Sequence, residues 1–256
     1  MSVLQAILKD VREDIRRREK AKPVGEMNVE KFQKRSIAAA IQSTAGVPVI
    51  AEIKRASPSA GSLKLDADVV LAAEQMVRGG AAALSVLTEQ KHFKGDPNFL
   101  TLLRETTGVP LLRKDFIVGD YQIYEAADLG ADAVLLIAKV LGENLWKHMV
   151  VAEDIGLECL VEVENEDEVE LAESVGASFI GINNRDLDTL EVDLGRTERL
   201  APLISDSTTL VSESGITSPA DVRKVMEAGA DAVLVGTAIM RSSDIEKAVR
   251  SLVDLR

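Results

Sequence analysis

The sequence has few of the residues on which several common enzyme classes depend. Its 256 residues include one cysteine, Cys159, and two histidines, His92 and His148. A single cysteine excludes an intrachain disulfide, and no group of cysteines and histidines has the spacing of a zinc site. A serine–histidine–aspartate triad would need one of the two histidines, and neither ends a predicted strand. We therefore expect no metal site, and we expect His148 to have a partly exposed structural role in a helix.

Basic charge, long apolar runs and nucleotide-binding motifs are also lacking. The formal net charge is −12, which disfavours nucleic acid and anionic membranes as partners, although a local basic pocket can still hold a small anion. No apolar run reaches the roughly 18 residues of a membrane helix, and the charged first residues lack a signal-peptide core. Neither G-x-G-x-x-G nor G-x-x-x-x-G-K-[ST] occurs. These absences predict a cytoplasmic protein that binds neither nucleic acid nor membrane.

Repetition is the most informative feature that the sequence does have. Four segments consist of a glycine, small residues and an apolar strand, and they begin about 50 residues apart: "GGAAALSVLT" at 79, "GADAVLLIAK" at 130, "GASFIGINN" at 176 and "GADAVLVGT" at 229. Because one strand–helix unit of a barrel takes roughly half that length, each interval should contain a further strand. The four further strands are "VPVIAEIK" (47–54), "VPLLRKDF" (109–116), "ECLVEV" (158–163) and "TTLVSES" (208–214).

Eight apolar strands that alternate with amphipathic segments predict the α/β class and a closed (β/α)8 (TIM) barrel. An open doubly wound sheet is the alternative, but it usually has fewer strands and a glycine-rich first turn. We expect a single domain over residues 1–256. Residues 1–46 should form a helical extension, from "SVLQAILKDVREDIRRREK" and "VEKFQKRSIAAAIQS", that covers the barrel mouth or serves an oligomer interface. The strands should end near Lys54, Thr88, Lys114, Lys139, Glu162, Asn183, Ser214 and Gly236.

The first strand carries an acid and a base on one face. Side chains two residues apart on a strand point the same way, so Val49, Ala51 and Ile53 can face the helices. Glu52 and Lys54 then point into the barrel at the carboxyl end of the strand, where the active sites of such barrels lie. Buried charges are costly unless they are paired. Several inward charges at one end of the barrel therefore predict an active site.

The same alternation assigns a direction to the polar residues of the other strand ends. The residues predicted to point into the mouth are Lys114, Glu162, Asn183, Ser212 and Ser214. The residues predicted to point outward, in structural pairs with neighbouring loops, are Arg113, Asp115 and Glu213.

Eight motifs occur in order along the chain: "IAEIKRASPSAG", "LSVLTEQKHFKGD", "PLLRKDFIV", "ADAVLLIAKVL", "CLVEVENEDEVELA", "IGINNRDLDTL", "VSESGI" and "AVLVGTAIM". Together they resemble the indole-3-glycerol-phosphate synthase family over nearly the whole chain, and "KRASPS", "RKDF" and "GINNRDL" are the most specific. The resemblance implies a (β/α)8 enzyme of tryptophan biosynthesis, a carbon–carbon lyase that uses no metal or organic cofactor. The implied reaction converts 1-(2-carboxyphenylamino)-1-deoxyribulose 5-phosphate into indole-3-glycerol phosphate, carbon dioxide and water.

The resemblance also implies a role for each catalytic residue. Lys114 matches the general acid of ring closure, and Glu162 matches the catalytic carboxylate. Lys54 matches the lysine near the phosphate and the leaving hydroxyl. Glu52 matches the acid at the end of the first strand, and Asn183 is one of the polar residues that complete the site.

The remaining expected residues bind the substrate. The substrate-binding residues should be Ser57, Phe93, Phe116, Arg185 and Ser214, with Arg185 near the carboxylate side of the substrate. The phosphate-binding residues should be Lys54, Ser214, Gly215, Gly236 and Thr237. Family members often have serine where Thr237 stands, and Lys94 is at a variable loop position.

The chemistry fits these residue types. An ammonium such as Lys114 can protonate the ketone as the ring closes, and a carboxylate such as Glu162 can stabilise the cationic intermediate. Which of Lys54, Lys114 and Glu162 protonates the departing hydroxyl stays open. One rival is another phosphate-binding barrel enzyme, such as a Schiff-base aldolase that uses Lys114 or Lys139. The other rival is a catalytically inactive barrel that acts as a binding subunit. We expect a monomer that binds a small phosphorylated substrate.

Overall fold

The computed structural model describes residues 2–59, 61–63, 65 and 68–255. Eight parallel strands close into a barrel in which each strand pairs with the next along the chain and the eighth pairs with the first. The strands are β1 (Val49–Ile53), β2 (Ala83–Leu87), β3 (Leu111–Lys114), β4 (Ala133–Ile137), β5 (Glu158–Val163), β6 (Phe179–Asn183), β7 (Thr209–Glu213) and β8 (Ala232–Val235). The predicted closed barrel is confirmed.

Helices precede the barrel and connect its strands. They are α1 (Val3–Ala21), α2 (Ile37–Ser43), α3 (Val69–Arg78), α4 (Asn98–Thr106), α5 (Asp120–Leu129), α6 (Ala138–Leu141), α7 (Leu145–Asp154), α8 (Glu166–Ser174), α9 (Gly195–Leu200), α10 (Pro219–Glu227), α11 (Thr237–Arg241) and α12 (Ile245–Val253). The strand predicted to end near Lys139 ends slightly earlier, at Ile137, because α6 begins directly after β4 and contains Lys139. Alanine, lysine and leucine in "AKVL" are strong helix formers, which favours this early start.

Strand residues divide between two apolar clusters, as the alternation predicts. Val49, Ala51 and Ile53 belong to the cluster between the strands and the helices. Ile50 belongs to the cluster that fills the barrel, which also contains Leu112, Leu160, Phe179 and Leu234. The barrel interior is therefore a packed apolar core, and its polar residues stand at one end.

The direction predicted for the end of β7 is wrong. Ser212 points outward, where its hydroxyl lies 3.0 Å from the side-chain nitrogen of Asn184 and 2.8 Å from the hydroxyl of Thr197. Glu213 points inward and forms an ion pair with Lys114. The outward prediction for Arg113 is confirmed, because its guanidinium forms buried ion pairs with Glu125 of α5 and with Asp115, both at 2.8 Å. Asp115 forms the predicted structural pair, but it also lines the cavity at the mouth.

The first helix of the extension covers the mouth of the barrel. In α1, Leu4, Ile7, Val11 and Ile15 are buried and recur every three or four residues, which gives the helix one apolar face. Val3, Leu4 and Ile7 line the cavity at the mouth. Covering the mouth is one of the two roles predicted for the extension.

The second predicted helix of the extension is wrong over residues 29–36, because α2 begins only at Ile37. The backbone N–H of Arg35 donates to Asp132 at 2.7 Å, and its guanidinium donates to two carbonyl oxygens of the loop before β3. The Ile37 N–H donates to Glu158 at the start of β5, at 2.7 Å. These contacts with the amino ends of the strands replace the hydrogen bonds that a longer helix would make. They place α2 at the end of the barrel opposite the mouth, where Ile37 and Ile41 join the apolar cluster that fills the barrel.

His148 has a structural role, but it is buried rather than partly exposed. Its side chain is 8% exposed, and its Nδ1 lies 2.8 Å from the carbonyl oxygen of Asn144 one turn earlier in the chain. The residue belongs to the face of α7 that packs on the barrel. Among the described residues, no helix has both the length and the apolar character that crossing a bilayer requires.

Candidate active site

A cavity of about 480 Å³ opens at the carboxyl ends of the strands. This is the end at which (β/α)8 barrels carry their active sites. Every residue predicted to act on the substrate lines it: Glu52, Lys54, Ser57, Phe93, Lys114, Phe116, Glu162, Asn183, Arg185, Ser214, Gly215, Gly236 and Thr237. The cavity therefore brings together residues from strand ends that are far apart in the sequence.

Lys114 occupies the floor of the cavity between two carboxylates. Its Nζ lies 2.8 Å from Glu162 Oε2, and it also forms an ion pair with Glu213. Burial by itself would lower the pKa of Lys114, but the carboxylates of Glu162, Glu213 and Glu52 outweigh it and raise the pKa. Lys114 is consequently an ammonium ion at neutral pH, held at a defined position by the walls of the barrel.

Glu52 and Lys54 form the second ion pair of the cavity, at 2.6 Å. The two side chains share one face at the end of β1, as the sequence predicts, and Glu52 is 3% exposed. Gly236 makes room for the carboxylate, because a Cβ there would lie 3.0 Å from the Glu52 Cβ and 3.1 Å from its Cδ. A side chain at position 236 would therefore displace Glu52.

Glu213 is a cavity residue that the sequence analysis placed outside the barrel. It is 1% exposed, and one of its oxygens, Oε1, has no hydrogen-bond partner among the described residues. Burial raises the pKa of Glu213, the Lys114 ammonium lowers it, and the Glu162 carboxylate raises it. Gly181 leaves the space for this carboxylate, since a Cβ there would lie 3.1 Å from the Glu213 Cδ. The floor thus contains an ammonium group shared by two buried carboxylates.

Asn183 connects the floor to the loop after β6. Its side-chain nitrogen donates to Glu162 Oε1 at 3.0 Å, and its Oδ1 accepts from the backbone N–H of Arg185 at 3.0 Å. The Arg185 guanidinium donates to the carbonyl oxygen of Leu190 at 2.7 Å. Burial lowers the pKa of Arg185 and the Glu52 carboxylate raises it. An arginine is nevertheless charged at any physiological pH, so Arg185 offers a cation at the cavity wall.

One wall of the cavity is apolar. The rings of Phe93 and Phe116 lie 5.9 Å apart and are tilted by 42°. Val3, Leu4 and Ile7 of α1 and Leu187 of the loop after β6 also line the cavity. Such a wall suits the face of an aromatic ring, which is stabilised by contact with other rings and aliphatic groups.

Small and polar residues line the side of the cavity formed by β7 and β8. Ser214, Gly215, Gly236 and Thr237 line it, and Arg241 of α11 supplies a cation that the sequence analysis missed. Gly215 has a φ of +77°, and a Cβ there would lie 3.2 Å from Leu194 Cδ2. This conformation requires a glycine. In the part of the chain that the structure describes, no group of three or more His, Cys, Asp or Glu side chains is placed to hold a metal ion.

The fold and the site define a (β/α)8 barrel with paired lysines and carboxylates at its catalytic end. The fold is shared with distant structures such as thiamine phosphate pyrophosphorylase of Pyrococcus furiosus, at a TM-score of 0.62 and 20% identity over 80% of this chain and 93% of that chain. The family model "Indole-3-glycerol phosphate synthase" matches residues 4–252. The chain belongs to the indole-3-glycerol phosphate synthase family.

Curated relatives of that name cover most of the chain. The indole-3-glycerol phosphate synthase of Thermoanaerobacter pseudethanolicus is 42% identical over 96% of this chain and 95% of its own length. That of Methanocaldococcus jannaschii is 46% identical over 89% of this chain and 86% of its own length. That of Acetivibrio thermocellus is 46% identical over 82% of each chain.

Proposed function

We propose that the protein converts 1-(2-carboxyphenylamino)-1-deoxy-D-ribulose 5-phosphate into indole-3-glycerol phosphate, carbon dioxide and water. Family membership and full-length relatives of that name support this reaction. The main chemical support for this reaction is the Lys114 ammonium, which is held between Glu162 and Glu213 at the floor of a cavity with an apolar wall. As a step of tryptophan biosynthesis it makes the protein a carboxy-lyase.

Lys114 acts as the general acid of ring closure. The aromatic carbon that bears the carboxylate attacks the ketone, and the ketone oxygen takes a proton as the carbon–carbon bond forms. The ammonium is fully protonated at neutral pH and is fixed by two carboxylates, and its proton is transferred as negative charge develops on the ketone oxygen. Lys114 is then a neutral amine, and the negative charges of Glu162 and Glu213 favour its reprotonation before the next turnover.

Glu162 stabilises the cationic intermediate that ring closure creates. Nitrogen acquires iminium character as the ring closes, and a preorganised carboxylate in a water-poor site stabilises such a charge strongly. Glu162 is 2% exposed, and the amide of Asn183 holds its second oxygen at 3.0 Å. Loss of carbon dioxide restores the aromatic electrons. The hydroxyl then leaves as water with a proton from an acid, and loss of a proton from the adjacent ring carbon completes the indole. Lys54, ion-paired with Glu52, is the second acid within the cavity.

The substrate is oriented by its two ends. We assign the aromatic end to the wall of Phe93, Phe116 and α1, with Arg185 near the carboxylate and Ser57 at the rim. We assign the phosphate to the opposite wall, with Lys54, Ser214, Gly215, Gly236 and Thr237 as donors and Arg241 as an additional cation. The cytoplasmic location, the monomeric state and the single domain over residues 1–256 stay predictions from the sequence.

The Schiff-base rival is disfavoured by the state of both candidate lysines. Attack on a carbonyl needs a neutral amine, and the neighbouring carboxylates outweigh burial and raise the pKa of Lys114. Burial alone would lower the pKa of Lys139, but its bond to Asp188 and the charge of Glu164 outweigh burial and raise it. Neither lysine is therefore a ready nucleophile.

The test is to add the carboxyphenylamino-deoxyribulose phosphate and to follow the fluorescence of the indole product. We expect continuous turnover without any added metal or organic cofactor. Borohydride is added in a parallel reaction, and no covalent adduct should form. A stable borohydride adduct at either lysine, without indole fluorescence, would favour the aldolase.

A further inference from the structure

A charged cluster on the rim of the mouth is not used by the proposed reaction. Lys139 Nζ lies 3.2 Å from Glu164 Oε2 and 2.7 Å from Asp188 Oδ2. Glu164 directly follows β5, Lys139 is in α6, and Asp188 is in the loop after β6. None of the three is among the residues that line the cavity. The cluster therefore joins three connections of the barrel just outside the site.

Glu164 ties down the backbone of the same loop. Its Oε1 accepts from the backbone N–H of Leu187 at 3.0 Å, while Oε2 faces Lys139. The carboxylate is buried, and its own N–H donates to Glu168 Oε2 at 2.7 Å. Both oxygens of Glu164 are thus engaged, one by a cation and the other by the loop.

The loop over residues 184–194 is held together internally. Asp186 Oδ1 accepts from the N–H groups of Asp188 and Thr189 at 2.8 and 2.7 Å, and Arg185 donates to the carbonyl oxygen of Leu190. The loop presents four side chains to the cavity: Arg185, Leu187, Leu190 and Val192. An internally bonded loop moves as a unit, so its attachment to the rim at residues 187 and 188 determines where those four side chains lie.

We propose that Lys139, Glu164 and Asp188 are positioning residues that hold the 184–194 loop against the mouth, so that Arg185 and Leu187 meet the substrate. The identity of that substrate rests on the proposed function, but the attachment of the loop does not. A rigid support for substrate-contacting side chains is needed because a displacement of about 1 Å can strongly reduce productive binding.

The charge state of Glu164 gives the positioning role a pH dependence. The pKa of Glu164 is raised to about 7, because burial and the carboxylates of Glu162 and Glu168 together outweigh the lowering by Lys139. Asp188 pairs with Lys139 from the loop, and the carboxylate of Asp186 acts electrostatically on both of them. When the pH falls through about 7, Glu164 takes up a proton and its ion pair with Lys139 is lost. Substrate KM should therefore rise on acidification more steeply in the wild type than in a variant that lacks the carboxylate.

The test compares Glu164→Leu with Glu246→Leu. The substitution at 164 removes the bond to the Leu187 N–H and the ion pair with Lys139, and it leaves no carboxylate unpaired. Glu246 is a matched control, because it joins α12 to α3 through Arg78 at 3.1 Å and does not line the cavity. Two quantities are measured: hydrogen exchange of the peptide that contains the Leu187 amide, and kcat and KM at about pH 6 and about pH 8, on either side of the pKa.

We expect Glu164→Leu to exchange the Leu187 amide at least tenfold faster than the control, and to raise KM about fivefold or more with kcat within about threefold. Its KM should also change less than that of the wild type between the two pH values. Exchange equal to that of Glu246→Leu would show that Glu164 does not hold the loop. Faster exchange with unchanged KM would show that holding the loop does not position the substrate.

Two further arms keep the test decisive. If Glu164→Leu does not fold, Asp188→Asn removes one contact at a half-exposed side chain and should give the same two changes at smaller size; their absence there counts against the proposal. If the wild type gives no indole product, the proposed function fails, and the exchange measurement alone decides whether the cluster holds the loop.

Discussion

Removal of the Lys114 ammonium should abolish turnover and also lower stability in a pH-dependent way. Lys114→Met keeps most of the length of the side chain but leaves Glu162 and Glu213, which are 2% and 1% exposed, without their shared cation. Loss of a general acid costs a factor on the order of 10² or more in turnover. Removal of one partner from a buried ion pair typically costs about 3–5 kcal/mol of unfolding free energy.

The sign of the pH dependence follows from the difference between the pKa of each group in the folded state and its pKa in the unfolded state. In the wild type the pKa of Lys114 is raised on folding. Its contribution to the free energy of unfolding is therefore fully present at any pH below the ordinary lysine pKa of about 10.4, and it is constant around neutrality. In the variant the cation that lowers the pKa of Glu213 is gone, so this pKa rises further above its unfolded value. The variant should therefore lose stability as the pH rises, and its deficit should shrink on acidification.

The assay combines indole fluorescence with thermal or urea unfolding at about pH 5.5 and about pH 8. A glutamate with a raised pKa changes its charge across this range. We expect the stability deficit at the higher pH to exceed that at the lower pH, with no recovery of turnover at either. Lys114→Arg should restore stability in part but not turnover, because its guanidinium has a different shape and gives up its proton too reluctantly. Turnover above about a third of the wild-type value in Lys114→Met, or a deficit that grows on acidification, would refute the reasoning.

Three further substitutions test the walls and floor of the cavity. Phe93→Ala should raise KM about tenfold by removing the ring that faces Phe116, with little change in melting temperature; a large loss of melting temperature with unchanged KM would make Phe93 a packing residue only. Thr237→Val, which keeps the side-chain shape, should weaken inhibition by inorganic phosphate about tenfold, and unchanged inhibition would place the phosphate elsewhere. Gly181→Ala should displace the Glu213 carboxylate from its position beside Lys114 and lower kcat by about tenfold or more. Wild-type kcat in a folded variant would show that Glu213 is not needed beside Lys114.

The sequence was sufficient for the barrel because each strand contrasts an apolar face with a short polar end. In β1 the apolar residues Val49, Ala51 and Ile53 alternate with Ile50 and Glu52, and only one register satisfies both faces. In β7 the pattern is ambiguous, since Leu210 and Val211 are both apolar and Ser212 and Glu213 are both polar. Alternation alone could not choose the face there, and so the inward Glu213 was missed.

Other parts of the molecule depend on contacts between distant segments. The residues around Arg35 are helical in pattern but are held in a non-helical conformation by Asp132 and by carbonyl oxygens of the loop before β3. Val3 and Leu4 reach the cavity only because α1 crosses the mouth, and Arg241 reaches it from the end of the short helix α11, which directly follows β8. Local propensity and spacing contain no information about such long-range contacts.

A further difference concerns the reason for the two cavity glycines. The sequence analysis assigned Gly215 and Gly236 to the phosphate site. The structure adds a reason for each: Gly236 accommodates the Glu52 carboxylate, and Gly215 has a positive φ beside Leu194. A bulky residue at position 236 would therefore disturb Glu52 as well as any bound phosphate, which makes Thr237→Val the cleaner test of the phosphate site.

The central claim, that ring closure and decarboxylation occur together in this cavity, is tested most directly by isotope balance. The substrate is synthesised with a labelled carboxylate carbon, and labelled carbon dioxide and indole-3-glycerol phosphate are measured in the same reaction. We predict one labelled carbon dioxide for each indole product in the wild type, and neither above background in Lys114→Met. Carbon dioxide without indole, indole that retains the label, or no product from folded wild-type protein would contradict the account.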